Sequence, residues 1–203
     1  MIAVIDYGAG NIQSVYKALR HIGAQAEITR DSQAILKADG AILPGVGSFG
    51  DCMDSLNNFG IRKAIEDFIA TGRPFLGICL GLQLLFKESE ESPGIKGLDL
   101  LPGKIKRIPN KNGLKVPHIG WNSLDNVKKE GIFKDVPDDP FVYFVHSYYA
   151  ANCEDSLIAQ TNYGALVTAA VAKNNIFGCQ FHPEKSGETG LNILKAFSEE
   201  GNL

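Results

Sequence analysis

No apolar run in the 203-residue chain reaches membrane-spanning length. The strongest, Pro74 to Phe86, falls short of the ~20 residues that a transmembrane helix requires. Cysteine is scarce: Cys52, Cys79, Cys153 and Cys179 are widely spaced and form no C-x-x-C pair. Scattered thiols in a chain of this size point to a reducing, intracellular setting rather than a disulfide framework. Cys179 and His182 are three apart, but such positions on a strand face opposite sides, so no metal site is expected there. The N-terminal stretch has no basic region and Asp6 breaks its apolar run, which argues against a signal peptide. A soluble, cytoplasmic protein is the expectation. Positive charge is also in short supply, with 20 Lys and Arg against 23 Asp and Glu. A general nucleic-acid binder would usually be strongly basic. Glycine, by contrast, is abundant at 22 residues, where average usage is roughly 7%. With 44% hydrophobic and 21% charged residues, the composition is that of a globular protein, and the length suits one domain over residues 1–203.

The first half alternates short apolar runs with helical periodicity. Ile2 to Ile5 reads as a buried strand, followed by a Gly8-Ala9-Gly10 turn and a helix capped by Asn11 with Val15 and Leu19 on its apolar face. Ala26 to Thr29 reads as a strand, Asp31 as the cap of a short helix through Leu36, and Gly40 to Leu43 as a third strand. Ile61, Ala64, Ile65, Phe68 and Ile69 mark another helix, stopped at Gly72. Pro74 to Ile78 then forms a strand leading straight into a helix over Leu80 to Lys87. This alternation predicts an α/β protein with a mostly parallel sheet and helices on both faces. The second half changes character. Phe141 to Tyr149 and Ala165 to Ala172 read as strands, and Asn174-Asn175 turns a hairpin into Ile176 to His182. An antiparallel addition to the parallel core is expected, closed by a helix around Leu191 to Phe197.

Gly77-Ile78-Cys79-Leu80-Gly81 is the most informative stretch. It follows the G-x-nucleophile-x-G pattern of a strand-to-helix elbow, with cysteine as the nucleophile. The flanking glycines permit the close approach that so sharp a turn requires. The thiol then stands at the carboxyl end of a parallel strand, where open α/β sheets bind ligands. The amide of Leu80 can face a developing oxyanion, and the helix N-terminus favours a thiolate. Buried cysteine packed among small residues is the plainer alternative. A catalytic thiol also needs a base. His182, in His182-Pro183-Glu184, can take the thiol proton while Glu184 holds its other ring nitrogen. The plainer reading there is a structural His-Pro turn.

Pro44-Gly45-Val46-Gly47 follows the preceding strand, and its backbone amides offer a second oxyanion donor. The same loop spells Gly45-Val46-Gly47-Ser48-Phe49-Gly50, a string also found in dinucleotide sites. That fingerprint belongs at the first β–α turn, and here Gly8 to Gln13 lacks its third glycine. Lys104, Lys106, Arg107, Lys111 and Lys115 form a basic segment without acids, a candidate anion or RNA patch in an otherwise acidic chain.

Together with Val116 to Asn122, Tyr143 to Tyr149 and His182 to Ser186, these motifs resemble the class I glutamine amidotransferases. Within that group they resemble the glutaminase subunits of imidazole glycerol phosphate synthase. The resemblance implies a flavodoxin-like fold and hydrolysis of L-glutamine by a triad of Cys79, His182 and Glu184. It implies an oxyanion hole from Val46, Gly47 and Leu80, and a glutamine site around Gln83, Glu91, His146, Ser147 and Tyr148. It also implies a heterodimer with a (β/α)8-barrel cyclase subunit facing Trp121, Tyr143 and Lys185, and internal transfer of ammonia; the sequence itself gives no sign of a metal or organic cofactor. For Glu91 the alternative is one charge in an acidic run; for His146, a core histidine; for Trp121, core packing.

Overall fold

The computed structural model describes residues 1–8, 10–110 and 113–200. Ala9, in the expected first turn, and Lys111, in the basic segment, lie outside the described residues. The strands are β1 (Ile2–Ile5), β2 (Ala26–Thr29), β3 (Gly40–Gly45), β4 (Phe75–Cys79), β5 (Lys104–Arg107), β6 (His118–Ser123), β7 (Phe141–His146), β8 (Tyr148–Ala151), β9 (Leu157–Asn162), β10 (Leu166–Lys173) and β11 (Ile176–Cys179). The helices are α1 (Ile12–His21), α2 (Ser32–Lys37), α3 (Phe49–Asn58), α4 (Ile61–Ala70), α5 (Leu80–Gln83) and α6 (Gly187–Glu200).

The central sheet runs β2-β1-β3-β4-β11-β10-β9. Its first five strands are mutually parallel; β10 and β9 add antiparallel pairs at one edge. Two short antiparallel ladders, β5–β8 and β6–β7, stand beside it.

The parallel strands are buried on both faces, which explains their unbroken apolar sequences. Side chains alternate between two cores along each of them. Ile2 and Val4 of β1, Ile42 of β3, and Leu76 and Ile78 of β4 pack with α1 and α6, through Val15, Leu19, Ile193 and Phe197. Ala3 and Ile5, Ala41 and Leu43, and Phe75 face the other way, against Ile35 of α2, Met53 and Leu56 of α3, and Ile65 and Phe68 of α4.

Four elements depart from the sequence expectation. The helix read over Leu80 to Lys87 is a single turn. The amides of Leu85 and Phe86 tighten to the carbonyls of Leu82 and Gln83, three residues back, and the carbonyls of Leu84, Leu85 and Lys87 accept from the amides of Leu98, Leu100 and Gly97 of a returning segment. So short a helix also carries little of the dipole expected to favour a thiolate. The strand read over Phe141 to Tyr149 divides at Ser147, where the chain leaves β6 and joins β5; the Ser147 carbonyl accepts from Ile108. Helix α3 has no counterpart among the expected elements. Its sequence is rich in Asp and Asn, and its first turn is held by distant groups. Asn11 begins α1 without capping it through its side chain, whose Oδ1 accepts instead from the Ser14 hydroxyl. Asp31 does cap α2, accepting from the Gln33 amide.

Candidate active site

Three parallel strands, β3, β4 and β11, bring the candidate residues to one end of the sheet. The register pairs Gly45 with Cys79 and Ile78 with Cys179, so the loop after β3 and the segment after β11 flank the end of β4. A cavity of about 290 Å³ opens there, lined by Val46, Gly47, Cys79, Leu80, Gln83, Glu91, Pro117, Val145, His146, Ser147, Tyr148 and His182.

Cys79 joins β4 to α5 with φ of 54° and ψ of −109°, a conformation that costs a non-glycine residue of order 1–3 kcal/mol. The flanking glycines make the turn sterically feasible. A Cβ on Gly77 would lie 2.6 Å from the Gly81 carbonyl oxygen, and one on Gly81 would collide with the Leu43 carbonyl. Cys79 is 6% exposed and faces the cavity. Its Sγ lies 3.8 Å from the Val145 carbonyl oxygen and 3.8 Å from Gln180 Nε2.

His182 follows β11 and is fixed by its backbone. Its N–H donates to the Tyr143 carbonyl, and its own carbonyl accepts from Ser186 Oγ at 2.6 Å. Ser186 Oγ accepts in turn from the Tyr143 amide. Nδ1 of His182 lies 2.8 Å from Glu184 Oε1, and both side chains are buried. A carboxylate only accepts, so the ring proton sits on Nδ1. Nε2 is buried and makes no hydrogen bond among the described residues. Burial by itself pushes the imidazole down, but the Cys79 sulfur and the Glu184 carboxylate outweigh it and raise its pKa to about 9. Below about pH 9 the ring therefore carries a second proton, on Nε2, which places an acid beside the elbow sulfur. Glu184 reaches His182 from a 3-10 turn over Pro183–Lys185.

The remaining candidates divide between the cavity and the surface. Glu91 lines the cavity, and its Oε2 accepts from the Phe49 amide at 2.7 Å, tying the acidic run to the start of α3. Gln83 Nε2 donates to the Tyr148 carbonyl and to Gln180 Oε1. His146 belongs both to the cavity wall and to the core. Its Nδ1 donates to the Tyr148 carbonyl at 2.8 Å, and its Nε2 accepts from His118 Nδ1 at 3.2 Å. Burial holds both rings neutral, lowering His146 to about 3 and His118 to about 4. Trp121 lies outside the core at 56% exposed, on the β6–β7 ladder directly opposite Tyr143. Ile119 and Phe141 are exposed on the same ladder, and Lys185 Nζ sits 5.9 Å over the Tyr143 ring.

Gln180 is the residue that sequence reasoning passed over. It lies two positions before His182, the spacing that puts two side chains on one side of an extended segment, and that spacing was the available signal. Of the basic segment, Lys104 to Arg107 form β5, whose Ile105 is buried in the core. The glycine string from Gly45 to Gly50 is the connection from β3 into α3. Among the described residues no group of three His, Cys, Asp or Glu is placed to hold a metal ion, and no helix is long and apolar enough to cross a membrane.

Comparison with known proteins bears on the family and the fold. The family model "Glutamine amidotransferase class-I" matches residues 3–200. A solved structure titled glutamine amidotransferase superposes over 100% of both chains with a TM-score of 0.79 at 17% identity. The structure of PurLQS from Thermotoga maritima matches over 97% of this chain and 96% of its own, with a TM-score of 0.75 at 20% identity. At these identities the two structures speak for the fold. Fold and family match together define a class I glutamine amidotransferase. The imidazole glycerol phosphate synthase subunit HisH of Methanothermobacter thermautotrophicus is 52% identical over 199 residues, 98% of each chain. That of Chlorobaculum tepidum is 46% identical over 201 residues, 98% of this chain and 100% of its own. The chain belongs to this family of glutamine amidotransferase subunits, which serve histidine biosynthesis.

Proposed function

We propose that the chain hydrolyses L-glutamine to glutamate and ammonia through Cys79, His182 and Glu184. It would act as one amidotransferase domain, in the cytoplasm, and pass the ammonia to a (β/α)8-barrel cyclase subunit that makes imidazole glycerol phosphate. The observation carrying this reading is Nε2 of His182, buried and without a hydrogen-bond partner among the described residues, beside the elbow thiol, with Nδ1 held by Glu184. Cys79 Sγ, its proton taken by His182, adds to the carboxamide carbon of glutamine. The amide of Leu80 and an amide of the Val46-Gly47 pair hold the oxyanion. His182 returns the proton to the departing nitrogen, leaving a thioester and ammonia. Water, deprotonated by His182, then cleaves the thioester to glutamate and regenerates the thiol.

Gln83, Glu91, His146, Ser147 and Tyr148 surround the glutamine, with the Glu91 carboxylate suited to its α-ammonium group. Trp121, Tyr143 and Lys185 face the cyclase, as the exposed aromatic strip on β6–β7 supports. The test is glutamate release from L-glutamine by the chain alone and with the cyclase partner plus its nucleotide ligand. Low release alone that rises steeply in the full mixture is expected. High release indifferent to the partner would keep the Cys79 chemistry and overturn the pairing. Cys79→Ala should abolish glutamine-dependent synthesis by the pair while leaving ammonia-dependent synthesis intact; loss of both would overturn the role given to Cys79.

A further inference from the structure

The loop Pro44 to Gly47 is gripped from inside the protein by two side chains of other elements. Tyr7, just past β1 and fully buried, donates from Oη to the Pro44 carbonyl at 2.8 Å. Cys52, on α3 and 2% exposed, donates from Sγ to the Val46 carbonyl at 3.6 Å. Burial pushes both the phenol and the thiol above their ordinary pKa values, so each keeps the hydrogen it donates. Neither side chain lines the cavity, whereas Val46 and Gly47 both do.

In a trans peptide the carbonyl and the following N–H point in opposite directions. A carbonyl anchored on the interior therefore turns the next amide away from the interior. Val46 O held against α3 aims the Gly47 N–H outward, and Pro44 O held by Tyr7 fixes the peptide that leads into Gly45. The β3–β4 ladder restrains only the stretch up to Gly45, which pairs with Cys79. Beyond it, among the described residues, the Cys52 bond is the first hydrogen bond to the loop before Ser48 Oγ caps α3.

We infer that Cys52 and Tyr7 are positioning residues for the oxyanion loop: their bonds to the Val46 and Pro44 carbonyls set the direction in which the loop presents its amides. This rests on the proposed glutaminase chemistry. Cys52 takes no part in that chemistry as a nucleophile.

The test uses the complex of this chain with the cyclase partner plus its nucleotide ligand. Wild type, Cys52→Ala, Cys52→Ser and Tyr7→Phe are compared for kcat and KM of glutamate release. The rate at which iodoacetamide alkylates Cys79 is read by mass spectrometry. Alkylation needs the thiolate and access to it, but no oxyanion donor. Misaimed donors cost rate without costing substrate affinity. The expected result is a roughly 10-fold fall in kcat for Cys52→Ala and Tyr7→Phe, with KM and Cys79 alkylation within about twofold of wild type. Cys52→Ser, which keeps a donor, should recover most of the loss. A kcat within about twofold of wild type in both deletion variants would overturn the inference. So would a fall in kcat matched by an equal fall in alkylation, since that reports a generally disturbed site. If Cys52→Ala does not fold, Tyr7→Phe, which removes a single buried hydroxyl, decides by the same two readouts. A wild-type complex that releases no glutamate would overturn the glutaminase reading itself.

Discussion

Gln180 Nε2 stands 3.8 Å from Cys79 Sγ, and Gln180 Oε1 accepts from Gln83 Nε2 at 3.1 Å. One fully buried amide thus joins the thiol to the cavity wall. An N–H directed at sulfur favours the anionic form of that sulfur. Replacing Gln180 with Met keeps the bulk and removes the donor. Alkylation of Cys79 at pH 7 should slow by roughly 3- to 10-fold, the scale of one lost hydrogen bond, and glutamate release should fall with it. An unchanged alkylation rate would show that the contact does not bear on the thiol.

The His182–Glu184 pair makes a graded prediction. Glu184→Gln retains a hydrogen-bonding group but removes the negative charge that helps hold the imidazole near pKa 9. His182→Ala removes the base altogether. The first should lower kcat by roughly 10- to 100-fold and the second by about 10³-fold or more, within the range of general-base catalysis. Equal losses would mean that Glu184 does more than orient and charge the ring.

The three buried histidines give stability a maximum in pH. His182 keeps its proton in the fold to about pH 9, while the unfolded side chain releases it near 6.5. Its contribution is therefore complete below pH 6.5 and fades as pH rises toward 9. His118 and His146 behave oppositely: the fold keeps them neutral down to about 4 and 3, while the unfolded chain protonates them below 6.5. Their contribution falls as the pH drops from 6.5 toward 4. Melting temperatures across pH 5 to 9 should peak near 6.5. A rise between pH 6.5 and 5 would contradict two neutral histidines in the core.

Gly81 has no room for a methyl group, because a Cβ there would strike the Leu43 backbone carbonyl. Backbone cannot yield as a flexible side chain does. Gly81→Ala should destabilise the fold by about 2–4 kcal/mol, readable as a lower denaturant midpoint. A midpoint equal to wild type would show that the elbow can open.

Trp121 is half-exposed and touches the Tyr143 ring edge-on with centroids 6.2 Å apart. Trp121→Ala should leave the melting temperature within about 2 °C, as for surface substitutions, yet weaken cyclase binding by roughly 10-fold or more, as large aromatic anchors do. Unaltered binding would move the interface elsewhere.

Legibility in the sequence follows what each element depends on. Strands β1, β3 and β4 are visible as unbroken apolar runs because a parallel sheet buries both faces. The elbow is visible because its glycines are imposed by backbone contact. The hairpin at Asn174 is legible in the same way: that residue takes a φ of 54°, which asparagine tolerates. What depends on distant partners stays hidden. Helix α3 begins where Glu91 and Ser92 accept from Phe49 and Gly50, more than forty residues away. The end of α5 is set by the return of residues 97–100. The break at Ser147 reflects a change of partner strand, which the continuous apolar pattern does not show. Within the site, Cys79 and His182 carry local signatures, whereas Gln180 and Tyr7 matter only through neighbours far along the chain, and Cys52 only through the turn of backbone that brings the Val46 carbonyl over α3.

The pairing of Gly45 with Cys79 makes the spacing between loop and nucleophile a property of the sheet's register. Deleting one residue from β3 would preserve an apolar strand and a recognisable topology. It would also draw the loop back by about 3.3 Å and exchange the faces of Ile42 and Leu43. Length in the β3 strand is therefore under a stricter constraint than identity: its buried positions tolerate exchange among apolar residues far better than they tolerate an insertion or deletion.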